Sequence, residues 1–599
     1  MAIKSKKPSI NYTSRDFNSI RDDLVSYAKR YYPDKIKDFS QPSFGALMLD
    51  TVAYVGDLLS FYLDYQANES FLSTAIEYNN VVKLSRTLGY KIQTNPSSFG
   101  TLTTFILVPT ESDTVAPDEN YMPVLKRGST FSSSNGTLFT LIEDIDFSDP
   151  SLERVVAQTD SQTGAPVKYA VRAFGQIVSG EIAVETIDVG EYSKFPRFQL
   201  ETRNVAEVLS IVDSENNRYY EVDHLTQDVI YIPVVNMAVD RDTVRNILKP
   251  VSVSRRFTVE KTALDTFIQF GDGTDETEIQ YLDPSNVVLD TFAKTHTTDV
   301  SFDPSILNKS GKLGVAPSNT SLLVTFRLNT ADNVNAAANT ITNVNNAILS
   351  FRNPDALAVA QINQIRTSLE VLNEEALVGD VDLPTSEELK IRAYANFATQ
   401  NRAVTKQDYI SVVYNMPSKF GAIKRASINL DTNSFNQRNL NLYVVSEDSD
   451  NKLVKTNTTI KQNLKNWLTQ YKMINDTIDI LDAKIVNFGI KYTVKGMPDV
   501  NQFLVLDDAN RAIRQFYEDR FFEIGEPILV TDVFGVLKNV GTILDVTNVE
   551  LFIKTGDKYA DAPFSLDKFL NADGTMLMPP NDCIFELKFP TSDILGTIK

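Results

Sequence analysis

Residues 44–65, FGALMLDTVAYVGDLLSFYLDY, constrain this chain more than any other stretch. Phe44, Met48, Thr51, Val55, Leu58, Tyr62 and Tyr65 recur in alternating steps of four and three, the spacing of a helix seam. Leu47, Val52, Tyr54, Leu59 and Phe61 widen the apolar surface well beyond one stripe. A helix that is apolar on most sides must be covered on most sides, so the segment predicts neighbouring helices, from this chain or from others. Asp50, Asp57 and Asp64 interrupt the run every seven residues and share one narrow face. They read either as the solvated edge of a bundle or as a polar register device between chains. Each carboxylate would be expensive in lipid, so no membrane span is expected.

The length of 599 residues sets a prior of about three or four domains. Lys and Arg number 58 against 77 Asp and Glu, a net charge of -19, which argues against nucleic acid as a general partner. The acidity reads as solubility. Cys583 is the only cysteine, so no internal disulfide is available, and the basic start MAIKSKKPSI lacks the apolar run of a signal peptide. A cytoplasmic product is expected.

Along the chain the expected fold is α+β and multidomain. Residues 1–96 form a helical, bundle-forming region. A first helix opens near Ser14 and stops at Pro33, the long one follows Pro42, and a third ends at Gly89. Residues 97–330 are β-rich, with runs such as GTLTTFILVP, VIYIPVV and TSLLVTFRL between polar turns. Residues 331–369 read as a connector, with Asn- and Ala-rich ADNVNAAANTITNVNNAI exposed. Residues 370–554 alternate helix and strand: Thr385 and Glu388 make a capping box, Thr405 caps the next helix, and Val486, Phe488, Ile490, Tyr492 and Val494 alternate along a strand. Residues 555–599 form a C-terminal loop and strand segment. Hinges are expected near 95–100 and 330–345.

Chemistry-bearing motifs are scarce. His224 and His296 stand in separate segments, and one cysteine cannot complete a zinc set with them. SGKLG around Lys312 lacks the upstream glycine and following hydroxyl of a phosphate loop. FGDGTDETE at 270–278 bunches carboxylates without calcium-loop spacing, and reads as a tight turn rather than a cation site. No catalytic, metal or cofactor residues are nominated, and no enzyme is expected.

Two stretches carry a resemblance. Residues 383–428 hold a Thr-x-x-Glu helix start, Asn401 to Thr405 as Asn-Arg-Ala-Val-Thr, an Asp408–Tyr409 pair, and a Pro417-x-x-x-Gly421 turn before a strand. Residues 464–546 close with Gly525, Ile528, Leu537, Val540 and Gly541. Together with FGDG, these resemble the baseplate J-like family, and the N-terminal helices are similar to those of its T-even-type branch, the wedge subunits of contractile-tail phages that form the inner ring. The order of the motifs along one chain carries the match; residues 100–260 add nothing to it.

The resemblance implies a structural role without enzymatic activity. It implies two copies joined to one larger wedge protein, partly through a helical bundle, with wedges closing a ring that contacts hub-proximal and sheath-initiating proteins. It further implies a rearrangement that triggers sheath contraction, and a place in the virion tail after assembly in the host cytoplasm. The candidate interface residues are Leu47, Tyr54, Leu58, Phe61, Tyr62 and Tyr65, with Trp467 and Tyr471 as further anchors. The bland alternative makes all of them core of a single chain. The rival functions are a tail-associated receptor-binding or glycan-degrading protein, and a ring subunit of a phage-like contractile injection system.

Overall fold

A computed structural model describes residues 16–31, 38, 43–92, 94–111, 116–235, 246–262, 265–273, 313–329, 331, 333–431, 439–498, 500–518, 522–556, 558–560 and 562–599. Ser14, Pro33, Pro42, His296, Lys312 and residues 274–278 lie outside them. The chain divides into two compact units. One holds the chain up to Lys91 with Pro384–Phe397, and the other holds Ile92–Leu383 with Ala398–Lys599.

The first unit contains α1 (Phe17–Tyr31), α2 (Phe44–Glu69) and α3 (Tyr78–Thr87). In α1, Phe17, Ile20, Arg21, Leu24, Val25 and Ala28 recur at helical spacing and form its sheltered side. Ser43 starts α2, its Oγ accepting from the Ala46 amide at 3.1 Å. The sheltered stripe of α2 is made of small residues: Ala46 and Ala53 are buried, and a Cβ at Gly56 would meet Ile20 Cδ1 at 3.3 Å. Asp50 lies on this stripe and pairs with Arg21 of α1. The aspartate face is therefore turned, at Asp50, toward a helix of the same chain.

Glu69 closes the corner after α2. Its buried carboxylate accepts from the Ile76 amide at 2.8 Å, the Glu77 amide at 3.3 Å and Asn80 Nδ2 at 2.9 Å. It thus serves donors at the start of α3, which has no side-chain cap of its own. Ser386–Thr399 belongs to this unit over most of its length, with Leu389 and Ala393 fully buried and Arg392 donating to the Tyr90 hydroxyl. Thr385 Oγ1 accepts from the Glu388 amide at 3.3 Å. A domain boundary drawn at 370 from sequence separates this helix from the unit it completes.

The second unit begins with two sheets. In the first, Phe99–Pro109 and Pro166–Ser179 run antiparallel over their full lengths, and Thr130–Ser133, Leu138–Leu141, Glu153–Thr159, Ile341–Asn346 and Glu370–Leu372 join them. Leu102, Ile106, Phe131, Phe139, Val171, Ile177 and Ile341 are fully buried there. The Asn-rich stretch expected to be an exposed connector is an integral part of this sheet. Asn373 Oδ1 accepts from the Thr340 and Ile341 amides at 3.0 and 2.8 Å, and Asn335 Nδ2 donates to the Asp380 and Glu447 carbonyls. Asparagine carries both donor and acceptor, so a polar sequence can be built inward once each group finds a backbone partner.

The second sheet contains Glu181–Val189, Arg197–Gln199, Val205–Val212, Arg218–Glu221, Arg256–Lys261, Thr266–Phe270 and Thr320–Leu328. FGDG is a close crossing at its edge. A Cβ on Gly271 would sit 2.2 Å from the Gly314 carbonyl oxygen, the Gly273 amide donates to that oxygen at 2.9 Å, and the Ala316 amide donates to Gly273 at 2.8 Å. Backbone proximity explains the glycines without a cation.

The C-terminal half forms two α/β layers. Arg425–Leu430, Asn439–Glu447, Leu453–Val454 and Thr477–Asp482 make one sheet, packed with helices Lys406–Tyr414 and Thr458–Thr469. The motif residues build this layer. Thr405 and Asp408 form a reciprocal capping box, Ala403 is fully buried, and the Tyr409 hydroxyl donates to Asp476 Oδ2 at 2.6 Å. The other sheet centres on Lys484–Gly496, flanked by Ile543–Ile553, Cys583–Glu586 and Ile594–Ile598, with helices Gln502–Glu518 and Val530–Lys538 against it. Alternation from Val486 to Val494 predicts one buried face, but Asn487 is buried too. Its side chain meets Glu586 Oε2 and the Ala560 amide, because chain beyond 555 covers the second face. That final segment is sheet, not tail.

Neither expected hinge is loose. The Ser97 amide donates to Ser418 O, the Phe99 amide to Val378 O and Asn329 Nδ2 to Pro96 O, while Ala336 and Leu377 exchange both backbone bonds.

Candidate assembly interface

The covered side of α2 is one stripe, and the rest of the helix is open. Twelve large apolar residues between Phe44 and Glu69 are exposed, from 36% for Tyr65 to 73% for Phe44, whereas Ala53 is at 0%. Leu47, Tyr54, Leu58, Phe61 and Tyr62 are all among the twelve. Small residues face α1 and large ones face outward, the reverse of an ordinary amphipathic surface helix. A contiguous apolar surface of this extent on one helix marks an interaction site.

Polar atoms on the open face are already satisfied. Thr51 Oγ1 donates to the Leu47 carbonyl at 2.8 Å, so the hydroxyl is tied to its own helix. The Tyr65 hydroxyl donates to Glu77 Oε1 at 3.0 Å, a bond that also raises its pKa. Phe61 lies 6.0 Å from the Tyr62 ring and 6.3 Å from the Tyr65 ring, giving an aromatic patch at the C-terminal half. Such a face can pack against apolar helices without leaving a buried hydroxyl unpaired.

Trp467 and Tyr471 are not brought together with α2; they lie in the other unit. Both are half-buried, their rings are 4.8 Å apart, and Trp467 Nε1 donates to the Val412 carbonyl at 2.9 Å. His224 is exposed in a turn where its carbonyl accepts from the Gln227 amide. Among the described residues no three His, Cys, Asp or Glu side chains gather as a metal-ligand set. The helix Ser386–Thr399 adds an open apolar stripe that sequence reading missed: Ile391, Tyr394 and Phe397 recur every three residues. That spacing was legible, but the capping box drew attention to the helix start instead.

By length and composition alone α2 is long and apolar enough to cross a membrane. Residues 16–87, which hold α1 to α3, match the family described as the bacteriophage baseplate protein, N-terminal domain. That match supports a structural protein of the phage tail baseplate, in contact with other baseplate proteins. No curated protein matches the chain. A solved structure, the cryo-EM structure of the anti-feeding prophage (AFP) baseplate, 6-fold symmetrised, aligns over 96% of this chain and 90% of that chain. The identity is 9% and the TM-score 0.24, too low to carry an argument about fold or role.

Proposed function

We propose that this chain is a structural subunit of a contractile-tail baseplate wedge of the baseplate J-like type, and that α2 is the element through which it joins other chains. The observation that carries this reading is the open apolar surface of α2, inside the segment that matches the baseplate family. The occupants are helices of a second copy and of a larger wedge protein, in a two-to-one heterotrimer. Wedges then close an inner ring, touch hub-proximal and sheath-initiating proteins, and rearrange when the sheath contracts. Closed rings need interfaces that repeat by rotation, and a helical seam repeated in each wedge supplies one. The chain acts without catalysis, metal, cofactor or nucleic acid and without crossing the membrane; it assembles in the host cytoplasm and ends in the virion.

The test places charges at Leu58 and Tyr62. With Leu58→Glu and Tyr62→Glu, the chain keeps its circular dichroism and melting temperature but no longer co-purifies with wedge proteins. A chain that unfolds instead assigns those residues to its own core and removes the reading. The length of α2 favours one other reading, a membrane anchor. Liposome flotation separates the two, since a wedge subunit stays in the dense fraction and an anchor rises.

A further inference from the structure

The strand Thr477–Asp482 pairs on one side in parallel with Asn439–Glu447, from Thr477 opposite Asn439 to Asp482 opposite Val444. Among the described residues no strand pairs with its other side. The sequence TIDILD contains no proline or lysine, and its pairing shows no bulge, so the usual devices that blunt an edge are missing. Beside this edge lies a cavity of about 170 Å³, walled by the end of helix Thr458–Thr469 and the residues after it. Leu468 and Ile478 form a buried floor. Lys465 and Lys472 stand at the rim.

We propose that this groove takes an extended acidic segment of a neighbouring protein, added as a further strand along Thr477–Asp482. A strand edge beside a helix is the arrangement in which main-chain bonds supply affinity and a pocket reads alternate side chains. The floor selects an aliphatic side chain. The rim selects acidic neighbours: Lys472 Nζ donates to the Asp476 carbonyl at 3.0 Å and keeps further donors. Asp479 does not cancel this charge alone, since its carboxylate is engaged by Asn439 Nδ2 at 2.9 Å. This site is separate from α2 and does not depend on the bundle reading.

The test uses the full chain and a fluorescent peptide, Asp-Val-Asp-Val-Asp-Val, followed by anisotropy. Binding is expected, weakened roughly tenfold by Lys465→Glu with Lys472→Glu, as follows from reversing two rim charges. It should be abolished when the central valine of the peptide is replaced by proline, which removes a ladder donor. Circular dichroism of the double variant checks that the chain still folds. No binding, or equal binding of a lysine-for-aspartate peptide, overturns the proposal. Equal binding of the proline peptide reduces the site to surface charge and also overturns it. Concentration-dependent self-association that the double variant abolishes assigns the edge to a second copy instead, and overturns it as well.

Discussion

Glu69 and Asp380 are two carboxylates whose surroundings push them in opposite directions. The hydrogen bond from Asn80, followed by that from the Ile76 amide, holds Glu69 below the ordinary carboxylate range. Its contribution is present above the unfolded pKa and lost as pH falls through the lower folded value. Replacing Glu69 with Ala should speed amide exchange at Ile76 and Glu77 near neutral pH, and the difference from the parent should shrink in acid. Asp380 is raised to about 6, mainly by burial, with Asp382 and Glu447 adding to the rise against the bond from the Val334 amide. A raised carboxyl stabilises the fold fully below its unfolded pKa, and this stabilisation is lost as pH rises through about 6. Asp380→Asn should therefore raise the urea midpoint at pH 8 by the equivalent of up to about 2 kcal/mol, with the two curves converging near pH 4. Cys583 is buried, and burial first and Asp582 second push its thiol up to about 12. A thiol reagent should label it only after denaturant is added.

At the scale of elements, α2 divides its duties by residue size. Ala53 should tolerate no enlargement: Ala53→Leu is expected to separate α1 from α2, read as lost helix content and lowered melting temperature, at a cost of about 1–3 kcal/mol. Gly271 is limited by backbone rather than side chain. Gly271→Ala drives a Cβ toward the Gly314 carbonyl, which cannot swing aside, and should cost about 2 kcal/mol or more in denaturant unfolding. The periodicity of 44–65 announced an unusual helix, and Thr405 with Asp408 announced a cap, because both signals lie within a few residues. Tyr409 was read only as part of a motif. Its partner Asp476 is 67 positions away, a separation that no local pattern encodes.

At the scale of the whole molecule, the second sheet is closed at Gly273 and Val315, on either side of residues 274–312. Replacing those residues with a short Gly/Ser linker should leave the unfolding midpoint nearly unchanged, since loop-closure entropy grows only slowly with length. If two copies stand in each of six wedges, quantitative mass spectrometry of purified particles should count about twelve copies of this chain.

The sequence by itself determined the local grammar: three N-terminal helices, the excess of apolar surface on α2, the β-rich middle, the capped helices and the central C-terminal strand. These follow from side-chain spacing against a period of 3.6 or 2 and from short-range caps. Only the tertiary structure decided that Ser386–Thr399 returns to the N-terminal helices and that the Asn-rich stretch is sheet. It also decided that residues beyond 555 cover Lys484–Gly496, and that small residues, not large ones, face α1. Each depends on which distant segment covers a face. Periodicity reports that a face is apolar, while burial is set by the partner that arrives there.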